Sequence, residues 1–113
     1  MIVFSMRIVT SDDRRSALLR TLGSVLGPTR VTPGCLDARI YAEFDRGKSI
    51  VLVEEWETRE QFDEHLDAET FKTLVAALEL SSEAPLVRID TVTREEGFEA
   101  LTSHLPSRRA VGA

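Results

Sequence analysis

The stretch Val51-Leu52-Val53-Glu54-Glu55-Trp56-Glu57-Thr58-Arg59-Glu60-Gln61-Phe62-Asp63-Glu64-His65-Leu66 constrains the fold more than any other segment. In it an apolar run ends in acid and indole and passes at once into a helical pattern. Ile50 to Val53 is rich in β-branched residues, the signal of a strand buried on both faces, and period-two alternation puts Trp56 on the side of Ile50, Leu52 and Glu54. Thr58 followed three residues later by Gln61 reads as a capping box, which satisfies two backbone donors and starts a helix at Arg59. On that helix Phe62 and Leu66 lie one turn apart, with His65 beside Phe62 at i+3. Trp56, Phe62 and His65 are therefore expected to border one pocket.

The rest of the chain supplies partners for this unit. Ile2, Phe4, Met6 and Ile8 alternate with Val3, Ser5, Arg7 and Val9 as a first strand. Ser11 or Asp12 can cap a helix carrying Ala17, Leu18, Leu22, Val25 and Leu26 at helical spacing, with Gly27-Pro28 as its break. After the Thr32-Pro33-Gly34 turn, Leu36, Ala38, Ile40, Ala42 and Phe44 alternate with Cys35, Asp37, Arg39, Tyr41 and Glu43 in a second strand. A hairpin loop at 45–48 joins it antiparallel to the third. Asp67 can cap a further helix with Phe71, Leu74, Val75 and Leu78 on one face, and Pro85 precedes a last strand from Leu86 to Thr93.

The order strand, helix, strand, strand, helix, strand predicts an α+β fold, the ferredoxin-like βαββαβ unit, with a four-stranded antiparallel sheet and helices on one face. Val3, Val9, Val51, Val53, Val87, Ile89 and Thr91 are expected to make apolar surface on the face the helices miss, which points to a homodimer, sheet against sheet. Residues 1–94 make the domain. Residues 95–113 are an extension: a short amphipathic turn with Phe98, Leu101 and Leu105 on one side that can clasp a partner subunit, then a frayed tail.

Composition narrows the function. With 113 residues, 42% of them hydrophobic, one domain is expected. The net charge is -5 and the basic residues are scattered among acids, so nucleic acid is not an expected partner. No apolar run approaches the roughly 20 residues needed to span a bilayer and no signal peptide is visible, so the expected location is cytoplasmic, away from membranes. The single Cys35 excludes an internal disulfide, and no Cys/His cluster has zinc spacing.

Three segments in this order resemble the antibiotic biosynthesis monooxygenase domain, in its quinol monooxygenase-like form. They are Pro28-Thr29-Arg30-Val31-Thr32-Pro33-Gly34-Cys35-Leu36, then Val51 to Trp56, then Phe62-Asp63-Glu64-His65-Leu66 leading to Phe71. The resemblance covers roughly residues 1–93. It implies a dimeric α+β barrel acting on phenols, quinols or polyketide-like aromatics with dioxygen, and no metal, flavin or other cofactor. Such substrates supply their own electrons, so the protein need only bind the ring, remove a proton and stabilise an oxyanion in a dry pocket.

On this reading His65 occupies the family's histidine position and is the catalytic base, since an unperturbed imidazole is mostly neutral at pH 7; the plainer alternative is that it packs at a helix end and donates to a carbonyl. Trp56 either stacks on the substrate or is core. Phe62 and Phe71 are core residues that can line the pocket. Tyr41 can donate to an oxyanion and Arg39, on the same face, can hold a carboxylate or phenolate, although solvated or interface positions suit both. Glu54 and Glu55 point to opposite sides and cannot act as a pair, and Cys35 is expected to pack. Relatives often carry a second histidine where this chain has Thr70, which speaks against a two-histidine mechanism. Met6 and Val75 stand where a haem-degrading relative needs asparagine and histidine. The rival functions are an isomerase or small-molecule binding protein on the same fold, and a non-catalytic dimer.

Overall fold

The computed structural model describes residues 1–44 and 48–106. Residues 45–47 of the loop expected at 45–48, and the tail from 107, lie outside those residues. Strand β1 (Ile2–Val9) leads to helix α1 (Asp12–Arg30). Strands β2 (Cys35–Ala42) and β3 (Ser49–Trp56) follow, then helices α2 (Arg59–Leu66) and α3 (Glu69–Ala77), and finally β4 (Leu86–Thr91). Short 3-10 turns occupy Leu78–Leu80 and Phe98–His104. The strands form one antiparallel sheet in the order β2-β3-β1-β4, the ferredoxin-like arrangement.

Alternation decides which side chains meet the helices. Ile2, Phe4, Met6 and Ile8 pair across the β1/β3 ladder with Trp56, Glu54, Leu52 and Ile50, and all eight are buried. Leu18, Leu22 and Val25 of α1 and Leu74 and Ala77 of α3 close over them into one core. Burying each of these leucine and valine side chains stabilises the fold by about 1.5–3 kcal/mol. α1 packs on α3 and β2, and α2 packs on α3 and β3.

Four expectations need correction. Pro28 does not break α1, which runs on to Arg30. Pro28 lies in the last turn, so its missing N–H removes a single bond, the one an i→i−4 ladder would make to Ser24, and the end is closed by the Val31 N–H, the Thr32 hydroxyl and the Thr32 N–H on the carbonyls of Gly27, Pro28 and Thr29. Asp67 is the C-cap of α2, and the N-cap of α3 is Ala68, with no side-chain bond. A β-bulge between Cys35 and Asp37 makes Leu36 the extra residue: Cys35 lies opposite Trp56, and Leu36 is 55% exposed.

The fourth concerns the open face. Val3 and Val9 do share it with Val51 and Val53, as the register requires. Val87, Ile89 and Thr91, however, pair with Met6, Phe4 and Ile2 and so sit on the helix side of the sheet. They are exposed because β4 is an edge strand packed chiefly along β1, beyond the reach of the helices.

Candidate functional site

The site is built on the junction between β3 and α2. Glu54 and Trp56, two residues apart, project to the helix side, and Thr58 then caps α2 by accepting the Gln61 N–H at 3.2 Å. The Thr58 hydroxyl also approaches Gln61 Oε1 at 3.1 Å. The junction is braced by Gly34, whose carbonyl accepts the Glu57 N–H at 2.8 Å. Its φ of +90° is in the region that favours glycine, and a Cβ there would lie 2.3 Å from Gln61 Cδ. The start of β2 can press against α2 only because this residue has no side chain.

Five rings converge beneath the junction. The His65 imidazole stacks on the Trp56 indole, with centroids 4.5 Å apart and planes at 29°. Phe71 of α3 meets His65 edge-on at 5.7 Å and Phe4 of β1 at 6.1 Å. Phe62 lies 5.6 Å from Phe4 and 6.4 Å from Trp56. Trp56 and Phe62 are fully buried and His65 is 2% exposed, whereas Phe71 is half-buried and forms the outer edge of the group. Tilted and edge-on contacts of this kind add about 0.5–1.5 kcal/mol each beyond area burial.

One carboxylate sits among these rings. Glu54, 1% exposed, accepts the Trp56 indole N–H on Oε1 at 3.0 Å. The same Oε1 is 3.1 Å from His65 Nε2. That contact is close enough for electrostatic attraction but off the line of a hydrogen bond, so both imidazole nitrogens are buried without an aligned partner among the described residues. A buried polar group left this way costs about 1–3 kcal/mol, an arrangement proteins keep chiefly where a ligand or water completes it. Cys35, near this carboxylate, has its thiol pushed above the ordinary value by burial and then by the charge of Glu54, which keeps it protonated and unreactive.

The structure thus brings Trp56, Phe62, His65 and Phe71 into one cluster. It does not bring Tyr41 and Arg39 there. Both lie on β2 opposite Val51 and Val53, on the face away from the helices, where Tyr41 is 51% exposed and Arg39 pairs with Asp37 at 2.7 Å. The strand pleat that joins them to each other also separates them from His65. Among the described residues His65 donates to no carbonyl, unlike the plainer sequence reading. Two contributors are not among the expected site residues. Glu54 shares the parity of Trp56, as the alternation already implies, whereas Phe4 enters only through the β1/β3 register. Among the described residues no three His, Cys, Asp or Glu side chains gather as a metal site, and no helix is long and apolar enough to cross a membrane.

Comparison with known proteins agrees with this architecture. Residues 1–77 match the model of the antibiotic biosynthesis monooxygenase family. Over 59 residues, 52% of this chain, the sequence is 37% identical to Rv0793 of Mycobacterium tuberculosis, described as a candidate monooxygenase; the match spans 57% of that relative. The solved structure of Rv0793 superposes with a TM-score of 0.76 at 27% identity, covering 85% of this chain and 98% of that one. A Deinococcus radiodurans protein, described as a candidate antibiotic biosynthesis monooxygenase, shares the fold. Its TM-score is 0.78 at 15% identity, over 87% of this chain and 98% of its own.

Proposed function

The chain belongs to the antibiotic biosynthesis monooxygenase family, and from that premise we propose that it oxidises a quinol or polycyclic phenol with dioxygen, using neither metal nor flavin. The observation that carries this reading is the buried imidazole of His65, with neither nitrogen hydrogen-bonded among the described residues, stacked on Trp56 and edged by Phe71. A hydroxylated aromatic ring supplies both a donor for an imidazole lone pair and a face that the neighbouring rings prefer. Phe71, as the outermost ring, marks the side of entry.

In this mechanism His65 takes the hydroxyl proton and the electron pair stays on the substrate, delocalised from oxygen to a ring carbon. That carbon reduces dioxygen. One oxygen atom is retained as a carbonyl, the other leaves as water, and the substrate loses two hydrogens overall. The apolar walls of Phe4, Phe62 and Phe71 keep water from the charged intermediate. The open face of the sheet, with half-buried Val3, Val9, Val51 and Val53, suits pairing with a second copy of the chain.

The test is oxygen uptake with a panel of hydroquinones and anthrones. Turnover by the wild type, lowered about 10²–10⁴-fold in His65→Ala, is the expected result. No turnover across the panel, or a His65→Ala variant as active as the wild type, defeats the proposal. Proton exchange or isomerisation that continues without dioxygen assigns the same base to the isomerase reading instead.

A further inference from the structure

We propose that Glu54 is a positioning residue that fixes His65 as the tautomer protonated on Nε2, leaving Nδ1 as the only proton acceptor the imidazole offers a ligand. The inference rests on the reading of His65 as a base and adds which nitrogen acts and what the ligand must present to it.

The argument begins with the shared oxygen. Glu54 Oε1 receives the Trp56 N–H at 3.0 Å and faces His65 Nε2 at 3.1 Å, with all three residues sealed from water. A carboxylate only accepts hydrogen bonds. An imidazole lone pair held against it at that distance would be repelled, whereas an N–H is attracted, so the proton belongs on Nε2 and the lone pair on Nδ1. Glu54 cannot easily turn away. It sits mid-ladder on β3, opposite Phe4 and Ala38, and the indole two residues along the strand holds its oxygen.

The imperfect line between Nε2 and Oε1 fits the same account. The imidazole lies against the indole at 29°, and a small rotation of the ring aligns its N–H with Glu54, as catalytic contacts commonly tighten when a ligand is bound. In the reaction the substrate O–H bond breaks, the Nδ1–H bond forms, and the electron pair remains on the substrate oxygen. Glu54 then stabilises the positive imidazolium through Nε2–H, taking no proton itself. A lone pair at Nδ1 can only accept, so the ligand must present a donor, a phenolic or enolic O–H. Its methyl ether cannot replace it.

The tautomer can be read without turnover. The chain holds two histidines, so ¹⁵N-labelled protein carrying His104→Gln isolates His65, and long-range ¹H–¹⁵N spectra at about pH 8 keep an ordinary imidazole neutral. Nε2 is expected at the protonated shift and Nδ1 at the lone-pair shift, with Glu54→Gln moving the ring to a mixed or reversed state. A proton on Nδ1 in the wild type, or a tautomer indifferent to Glu54→Gln, overturns the assignment; the wild-type spectrum decides even if the variant fails to fold. Titration with 1-naphthol and 1-methoxynaphthalene, followed by the Trp56 Nε1–H signal, tests the ligand. The naphthol is expected to bind about tenfold more tightly, and near parity in Glu54→Gln. Equal binding of both by the wild type overturns the donor requirement. If the tautomer is as expected and neither compound binds, the aromatic-substrate reading falls while the role of Glu54 stands.

Discussion

β3 and β4 flank β1 on its two sides, and both pair with it antiparallel, yet their fates differ. Every helix-facing residue of β3, from Ile50 to Trp56, is buried, whereas Val87 and Ile89 of β4 are 46% and 44% exposed on the same face of the same sheet. Residue type does not explain this, since valine and isoleucine are among the residues most often found inside. Reach does. α2 packs on β3, the strand that precedes it, α1 packs on β2 and on α3, and Phe71 of α3 reaches Phe4 of β1, whereas β4 packs chiefly along β1. The rings gather under those helices.

The comparison can be broken most directly by paired truncations. Phe62→Ala, beneath the helices, should lower stability by about 3–5 kcal/mol in urea titration, whereas Ile89→Ala should cost about 1 kcal/mol or less. An equal loss in the two would mean that β4 is covered in solution. Next in size is Gly34→Ala, which forces a side chain into positive φ and against Gln61. A loss of about 1–3 kcal/mol is expected, together with a shifted Trp56 Nε1–H resonance that reports movement of the junction. An unshifted resonance with unchanged stability would show that the brace is dispensable. Thr58→Ala should cost about 1 kcal/mol, measured the same way, and less would mean that packing alone sets the start of α2.

The smallest effect lies far from the site. The Ser11 hydroxyl bonds Asp13 and, with local backbone N–H groups, holds its carboxyl below the ordinary value of 3.8. A depressed folded value means that the contribution is present above the ordinary value and is lost as pH falls through the lower one. Asp13→Asn should therefore flatten the acid limb of stability slightly and leave the neutral plateau unchanged, a difference readable by thermal melts from neutral pH downward.

Much of this architecture was legible in the residues. The alternation of Ile2 to Val9 and of Ile50 to Trp56, the Thr58 cap and the i+3 placement of Phe62 and His65 are local patterns, and local patterns survive tertiary packing when apolar faces agree with them. Pro28 was misleading because in the last turn a proline removes only its own N–H bond, and what ends the helix is set by the residues after it, where Thr32 closes on Pro28 and Thr29 from outside the helix. The bulge at Leu36 was invisible because one inserted residue reverses parity on one strand only, a relation between strands and not within one. Within the site, Trp56, Phe62 and His65 were recoverable from spacing. Phe4 was not, because nothing near residue 4 shows that it lies across the ladder from Glu54.

The contiguity of Glu54, Trp56 and His65 bears on how the molecule assembles. Their loop closes over a short length of chain, so the entropy of bringing them together is small, whereas β4 must find β1 across nearly the whole described sequence. The strand, its turn and α2 should accordingly condense early, with the edge strand docking late. Pulse-labelling hydrogen exchange during refolding would then show amides of β3 and α2 protected before those of β4, the buried acid and imidazole taking their places before the sheet is complete.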